Sequence, residues 1–168
     1  RGEADKTTNM NFTNHPYFNL GGHDSGSAMD QKLQILAEAY HPVRDSKSIP
    51  TGEIAPVEGT PMDFRTMKPI GQDIEADFEQ LKFTGGYDHN YVLSDKVGEM
   101  KVMANAYCEK TGIAMEASTD CCGVQLYAGN FIGDQTGKGG AAYCKRCGFC
   151  LESQFYPNAM NQENVPSP

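Results

Sequence analysis

Lys101-Val102-Met103-Ala104-Asn105-Ala106-Tyr107-Cys108 and Ile113-Ala114-Met115-Glu116-Ala117-Ser118-Thr119 flank the short link Glu109-Lys110-Thr111-Gly112. Two runs of strand-forming residues joined by a link with a glycine at the positive-φ position are a hairpin signature, so the two segments are expected to pair antiparallel. Outward from this hairpin, Gly123–Ala128 and Gly148–Gln154 supply further strand candidates. Between them the loop Gly129–Gly140 carries Gly137-Lys138-Gly139-Gly140, which lacks both the G-x-x-x-x-G-K-[ST] frame and a following helix, so it reads as a surface turn rather than a phosphate loop. Upstream, Leu33, Ile35 and Ala37 alternate through Asp30–Ala37 in a weakly strand-like pattern. His41-Pro42, Ile49-Pro50, Ala55-Pro56 and Thr60-Pro61 then interrupt the chain too often for a helix to persist. One short helix is expected in Pro69–Lys82, where Ile70, Ile74, Phe78 and Leu81 fall at helical spacings among acids. The pattern as a whole predicts a mainly β protein.

The chain has 168 residues, with 14 basic against 22 acidic side chains, for a net charge of −8. Such a balance repels phosphate backbones and argues against a nucleic-acid partner. No apolar run approaches the length of a membrane-spanning helix, and no membrane partner is expected. With 39% hydrophobic residues, 18 Gly and 9 Pro, the composition is that of a turn-rich folded domain. Its six cysteines suit a reducing compartment, taken here as the cytoplasm. Three of them, Cys144, Cys147 and Cys150, form C-x-x-C-x-x-C, a spacing that suits zinc or an iron–sulfur cluster. The stretch from Tyr143 to Gln154 is strand-like, however, and a spacing of three in a strand sends successive side chains to opposite faces. The thiols are therefore expected to be small core or strand residues, with no metal bound.

Chemistry concentrates in Thr13-Asn14-His15-Pro16-Tyr17-Phe18-Asn19-Leu20-Gly21-Gly22. Histidine has an unperturbed pKa of about 6.5, so it can exchange a proton near neutrality, while amides and aromatics can grip hydroxyls and cover an apolar ring face. Two later segments complement it. Glu152 lies among Phe149, Leu151 and Phe155, where a carboxylate is costly unless paired or facing a cleft; alternation could equally turn it to solvent. Asp88, in Gly86-Tyr87-Asp88-His89-Asn90, is either a turn residue or a polar site group, and Gln125 in an apolar strand faces outward or meets a ligand. His23 and His89 read as structural or exposed.

Six ordered strings carry a family likeness: Asn14–Leu20, Ile49–Ile54, Pro61-Met62-Asp63-Phe64-Arg65, Gly86–Leu93, Gly123–Phe131 and Gly148–Gln154. Together they resemble aldose 1-epimerase, the galactose mutarotase family. The resemblance runs from about Thr13 to the C-terminus and matches the C-terminal half of the family's usual length. It implies a large antiparallel β-sandwich, of which residues 1–168 would be the C-terminal portion of a single domain, with the N-terminal half absent.

The resemblance further implies an enzyme that interconverts the α and β anomers of free hexoses such as galactose and glucose, without a cofactor. By that likeness His15 matches the general acid that protonates the ring oxygen and Glu152 the general base that takes the C1 hydroxyl proton. Tyr17, Asp88 and Gln125 match positions that hold sugar hydroxyls. The expected partner is a small aldohexose. The family's first half contributes another histidine and an arginine, so the site here is expected to be incomplete, and a carbohydrate-binding protein without turnover is the alternative. Cys121-Cys122 stands where such proteins commonly have a proline before Gly123. A sandwich cut in two exposes strand edges, through which self-association is expected.

Overall fold

The computed structural model describes residues 2–94, 96–163 and 165–168. The described residues form β1 (Lys32–Ile35), β2 (Ala39–Tyr40), β3 (Ala55–Pro56), β4 (Lys68–Pro69), α1 (Glu79–Thr84), β5 (Asp88–Val92), β6 (Lys101–Tyr107), β7 (Ala114–Thr119), β8 (Gly123–Tyr127), β9 (Gln135–Thr136), β10 (Ala142–Tyr143) and β11 (Cys150–Gln154). Every strand pairing is antiparallel. One sheet has the order β4-β1-β6-β7, and a second runs β11-β8-β5-β2-β3, with β9 and β10 as a separate ribbon.

The hairpin read from the sequence is β6–β7. Its link is closed by Gly112 N donating to Cys108 O at 2.9 Å and Cys108 N donating to Ile113 O at 3.0 Å. Gly112 has φ 72°, a left-handed conformation that costs other residues about 1 kcal/mol or more, which is why the glycine stands there. A register shift between Val102 and Ala104 bulges β6, and pairing resumes beyond it at Val102–Ser118 and Lys101–Thr119.

Leu33 and Ile35 of β1 and Ala104 and Ala106 of β6 share one buried cluster with Tyr91, Val124, Leu126 and Leu151 of the second sheet. The two sheets thus enclose the core between them, as in a sandwich. Burial of each large aliphatic side chain contributes about 1.5–3 kcal/mol. The proline-rich stretch is pinned rather than regular: Tyr87 Oη donates to Pro61 O at 2.9 Å and Tyr91 Oη to Met62 O at 3.0 Å. Phe64 and Met62 are fully buried beside these tyrosines.

The helix differs from its expected bounds. Within this stretch the α-helix begins only at Glu79, and the residues near Pro69 bond to the segment that leads into β1: Ile70 N donates to Gln31 O and Gly71 N to Met29 O, at 2.9 and 2.8 Å. Ile70, Ile74 and Leu81 are nonetheless buried, so the apolar spacing marked core contacts correctly while misplacing the helix start.

The second sheet is two-sided. Alternation sends Leu151, Val124, Leu126, His89 and Tyr91 to the core and leaves Cys150, Glu152, Gln154, Gln125, Tyr127, Asp88 and Asn90 on the other face. That polar face carries the candidate site.

Candidate active site

Registry brings the polar face together. Glu152 lies opposite Gln125, which lies opposite Asn90, while Cys150, Tyr127 and Asp88 form the next row across the same three strands. Residues from three separate stretches of sequence therefore meet at the strand spacing of about 4.8 Å.

His15 reaches this face from outside the sheet. The segment carrying it runs antiparallel along the outer edge of β11, attached at three points. Phe18 and Phe149 exchange backbone hydrogen bonds of 2.8 and 3.0 Å. Asn14 Nδ2 donates to Leu151 O at 2.9 Å and its Oδ1 accepts from Ser153 N at 3.3 Å. Asn11 repeats the arrangement on Phe155, donating at 3.2 Å and accepting at 3.0 Å. A side-chain amide has the same donor and acceptor as a peptide group, so each asparagine stands in for a missing strand neighbour.

So tethered, the imidazole sits over the row. His15 Nε2 is 3.3 Å from Glu152 Oε1, and its Nδ1 is 3.5 Å from Cys150 Sγ. The rings of Tyr17 and Tyr127 lie 5.2 and 6.4 Å from it, the latter edge-on. Glu152 is 9% exposed, which excludes the outward-facing reading. Desolvation raises its pKa, the nearby Asp88 charge adds to the rise, and His15 opposes it. Asp88 is also raised by burial, partly offset by the hydrogen bond from Gln125 Nε2 at 2.8 Å.

The amides extend further. Gln154 Nε2 donates to Gln125 Oε1 and to Asn90 Oδ1, each at 3.1 Å, and Asn90 Nδ2 meets His41 Nδ1 at 2.9 Å. Gln154 thereby fixes which end of the Gln125 amide faces Asp88. The sequence does not mark Gln154, Asn90 or Tyr127 as site residues and offers Cys150 only as part of the cysteine motif, although strict alternation through β11 already puts Cys150 and Gln154 beside Glu152. Five expected residues, His15, Tyr17, Asp88, Gln125 and Glu152, share this face. His89 points into the core instead, its Nε2 3.3 Å from Gln80 Oε1, and burial lowers its pKa to about 4. His23 is exposed and meets Tyr143 Oη at 2.8 Å.

The cysteine motif departs from expectation in its geometry. Cys144–Cys147 is a turn, not strand, with Cys147 N donating to Cys144 O at 3.2 Å, and only Cys150 lies in β11. A cavity of about 490 Å³ lined by Tyr17, Asn19, His23, Ile132, Tyr143 and Cys147 opens beside the row. Neither His15 nor Glu152 lines it, and Tyr17 is the one expected site residue that does.

Fold and site together define an antiparallel β-sandwich protein with an imidazole–carboxylate pair set among amides and aromatic rings. The sequence model of the aldose 1-epimerase family matches residues 1–168, and the chain belongs to that family. It is 42% identical over 167 residues to galactose mutarotase from Sus scrofa and, equally, to that from Homo sapiens, matching 99% of this chain and 47% of each relative. Aldose 1-epimerase from Escherichia coli K12 is 38% identical over 168 residues, matching 100% of this chain and 48% of the relative. The chain thus spans about half the length of the curated relatives it matches.

Among solved structures, the GalM/aldose epimerase homologue from C. elegans superposes with a TM-score of 0.78 at 27% identity, over 95% of this chain and 46% of that one. The galactose 1-epimerase from Lactobacillus acidophilus NCFM gives 0.72 at 31% identity, over 92% and 42%. No helix of the described residues is long and apolar enough to cross a membrane.

Proposed function

We propose that the protein is an aldose 1-epimerase that interconverts the anomers of a free hexose such as galactose or glucose, and that residues 1–168 act as the C-terminal portion of a single mutarotase domain. The observation that carries the reading is the 3.3 Å contact between His15 Nε2 and the buried Glu152 Oε1, beside the Asp88–Gln125 pair. Opening a hemiacetal needs a proton removed at one oxygen while another is delivered at its neighbour. Glu152 Oε takes the proton from the C1 hydroxyl, the C1–O5 bond breaks, and His15 Nε2 delivers a proton to O5. The open aldehyde turns about C1–C2 and recloses on its other face, with the two proton transfers reversed. Entry of the sugar replaces the direct His15–Glu152 contact, and the raised pKa of Glu152 suits a base that must also return the proton.

Asp88 and Gln125 hold sugar hydroxyls in this reading, and Tyr17 lies against the sugar from the side of the cavity. The chemistry needs no cofactor. The cysteines fit a reducing compartment such as the cytoplasm, and the outer edge of β7 is the surface through which copies self-associate.

Polarimetry on freshly dissolved α-D-glucose or α-D-galactose tests the activity, with acceleration over the buffer rate as the expected result. Hexose binding with no acceleration would instead identify a carbohydrate-binding protein.

A further inference from the structure

The thiol of Cys150 has no part in the anomer exchange, yet it lies within the acid–base pair. Strand alternation sets Cys150 and Glu152 two residues apart on one face of β11, and the segment tethered by Asn14 and Phe18 lays His15 across both. One donor atom each from His15, Cys150 and Glu152 lies within 4.8 Å of the others. The short contacts, 3.3 Å to Glu152 and 3.5 Å to Cys150, are made by the two different ring nitrogens, Nε2 and Nδ1, so one nitrogen serving an ion requires the ring to turn. Tetrahedral zinc, with Zn–N, Zn–O and Zn–S bonds of about 2.0–2.3 Å, sets its donors roughly 3.3–3.8 Å apart. Reorientation of the imidazole, with its chosen nitrogen brought in from within 4.8 Å, would complete a three-ligand site with an open fourth position. His15 is the member free to adjust, since its side chain is 48% exposed while Glu152 is held at 12%.

The charge of the face favours a cation as well. Glu152 and Asp88 lie on neighbouring rows, and among the described residues no lysine or arginine forms an ion pair with either. A thiolate, an imidazole and a carboxylate select a borderline-soft divalent ion over calcium or magnesium, which prefer all-oxygen ligands. The C-x-x-C turn at Cys144 and Cys147 is a separate place, since Cys144 is exposed and Cys147 faces the neighbouring cavity.

We propose that His15, Cys150 and Glu152 form a binding site for a thiophilic divalent cation such as zinc, and that the bound ion blocks sugar turnover by occupying the acid and the base together. Binding of the ion stands on the geometry alone; the blocking of turnover rests on the function proposed above. Coordination displaces the Cys150 proton to solvent and leaves an ion held by two anionic ligands and one neutral one.

Titration of the metal-free protein with cobalt(II), followed by near-ultraviolet and visible absorption, tests the site. One equivalent is expected to give a thiolate-to-cobalt charge-transfer band together with the strong visible bands of a four-coordinate ion. Cys150→Ser should remove the charge-transfer band, and the double variant Cys144→Ser, Cys147→Ser should keep it. His15→Ala, a change at a half-exposed position, should weaken cobalt binding at least tenfold. A band that persists in Cys150→Ser, a band lost in the Cys144/Cys147 variant, or equal affinity in His15→Ala overturns the site. Zinc should displace cobalt and abolish mutarotation reversibly on chelation. Stoichiometric cobalt binding by a protein that neither binds nor turns over hexose supports the metal site while refuting the proposed function. Full turnover by a protein saturated with zinc overturns the blocking.

Discussion

Glu152 shows how a single residue acquires its chemistry from its surroundings. On the polar face of β11 it is buried beside His15, and desolvation lifts its pKa above its ordinary value. Activity is therefore expected to fall as pH drops through that raised pKa, at higher pH than a solvated glutamate would give; a pH profile of kcat/KM checks it. Glu152→Gln keeps the shape and removes the base, so mutarotation should fall roughly 10²–10⁴-fold while hexose binding remains. A fully active variant would refute the assignment. Gln154 acts one step back, through its bond to Gln125. Gln154→Ala frees the Gln125 amide and should raise KM about fivefold with a smaller effect on kcat, in line with one lost hydrogen bond of about 1 kcal/mol. An unchanged KM would show that Gln125 needs no such support.

At the scale of elements, the edge of β11 is the informative one. Exposed edges invite association, and Asn11, Asn14 and Phe18 occupy this one. The same contacts place His15, so edge protection and site assembly are one structural event. Asn14→Ala removes both bonds to β11 and is expected to lower stability by about 1 kcal/mol and to speed amide exchange at Ser153. Protection unchanged at Ser153 would show that the tether is not needed. Among the described residues no strand pairs with the outer edge of β7, which ends its sheet. Placing lysine at Ala114 and Ser118, both exposed, should reduce self-association in sedimentation velocity if this edge carries it.

For the molecule as a whole, pH dependence of stability follows from two buried histidines. Burial lowers both His41 and His89 to about 4 from an ordinary value near 6.5. The folded protein keeps both rings neutral where the unfolded chain binds protons. Their contribution is complete above about pH 6.5 and is lost as pH falls toward 4, up to roughly 3 kcal/mol apiece. Urea unfolding midpoints measured across this window should fall steeply, and His89→Asn should flatten the fall. Glu152 and Asp88 act oppositely, since their raised pKa values make ionisation in the folded state unfavourable and add stability on protonation. A stability flat between pH 6.5 and 4 would show that the carboxylates offset the histidines.

The β6–β7 hairpin, the strands around Val124 and Leu151, and the proline-broken stretch were legible in the sequence because each depends on neighbours a few residues apart: alternation, a glycine at φ 72°, prolines that restrict their own backbone. The family motifs likewise carried His15, Tyr17, Asp88, Gln125 and Glu152. The helix start was not legible, since Ile70 and Gly71 bond to Gln31 and Met29, just ahead of β1, rather than within a helix of their own. Nor was the direction of Glu152, because alternation fixes which residues share a face but not which face meets the core. Cys150 shows the same limit: its motif spacing pointed to Cys144 and Cys147, whereas strand pairing set it against His15, 135 residues away. The sequence by itself determined the strands, their turns and the residue types available for acid–base chemistry. Only the tertiary structure decided which of them meet, because contacts across strands depend on register and burial that no local pattern records.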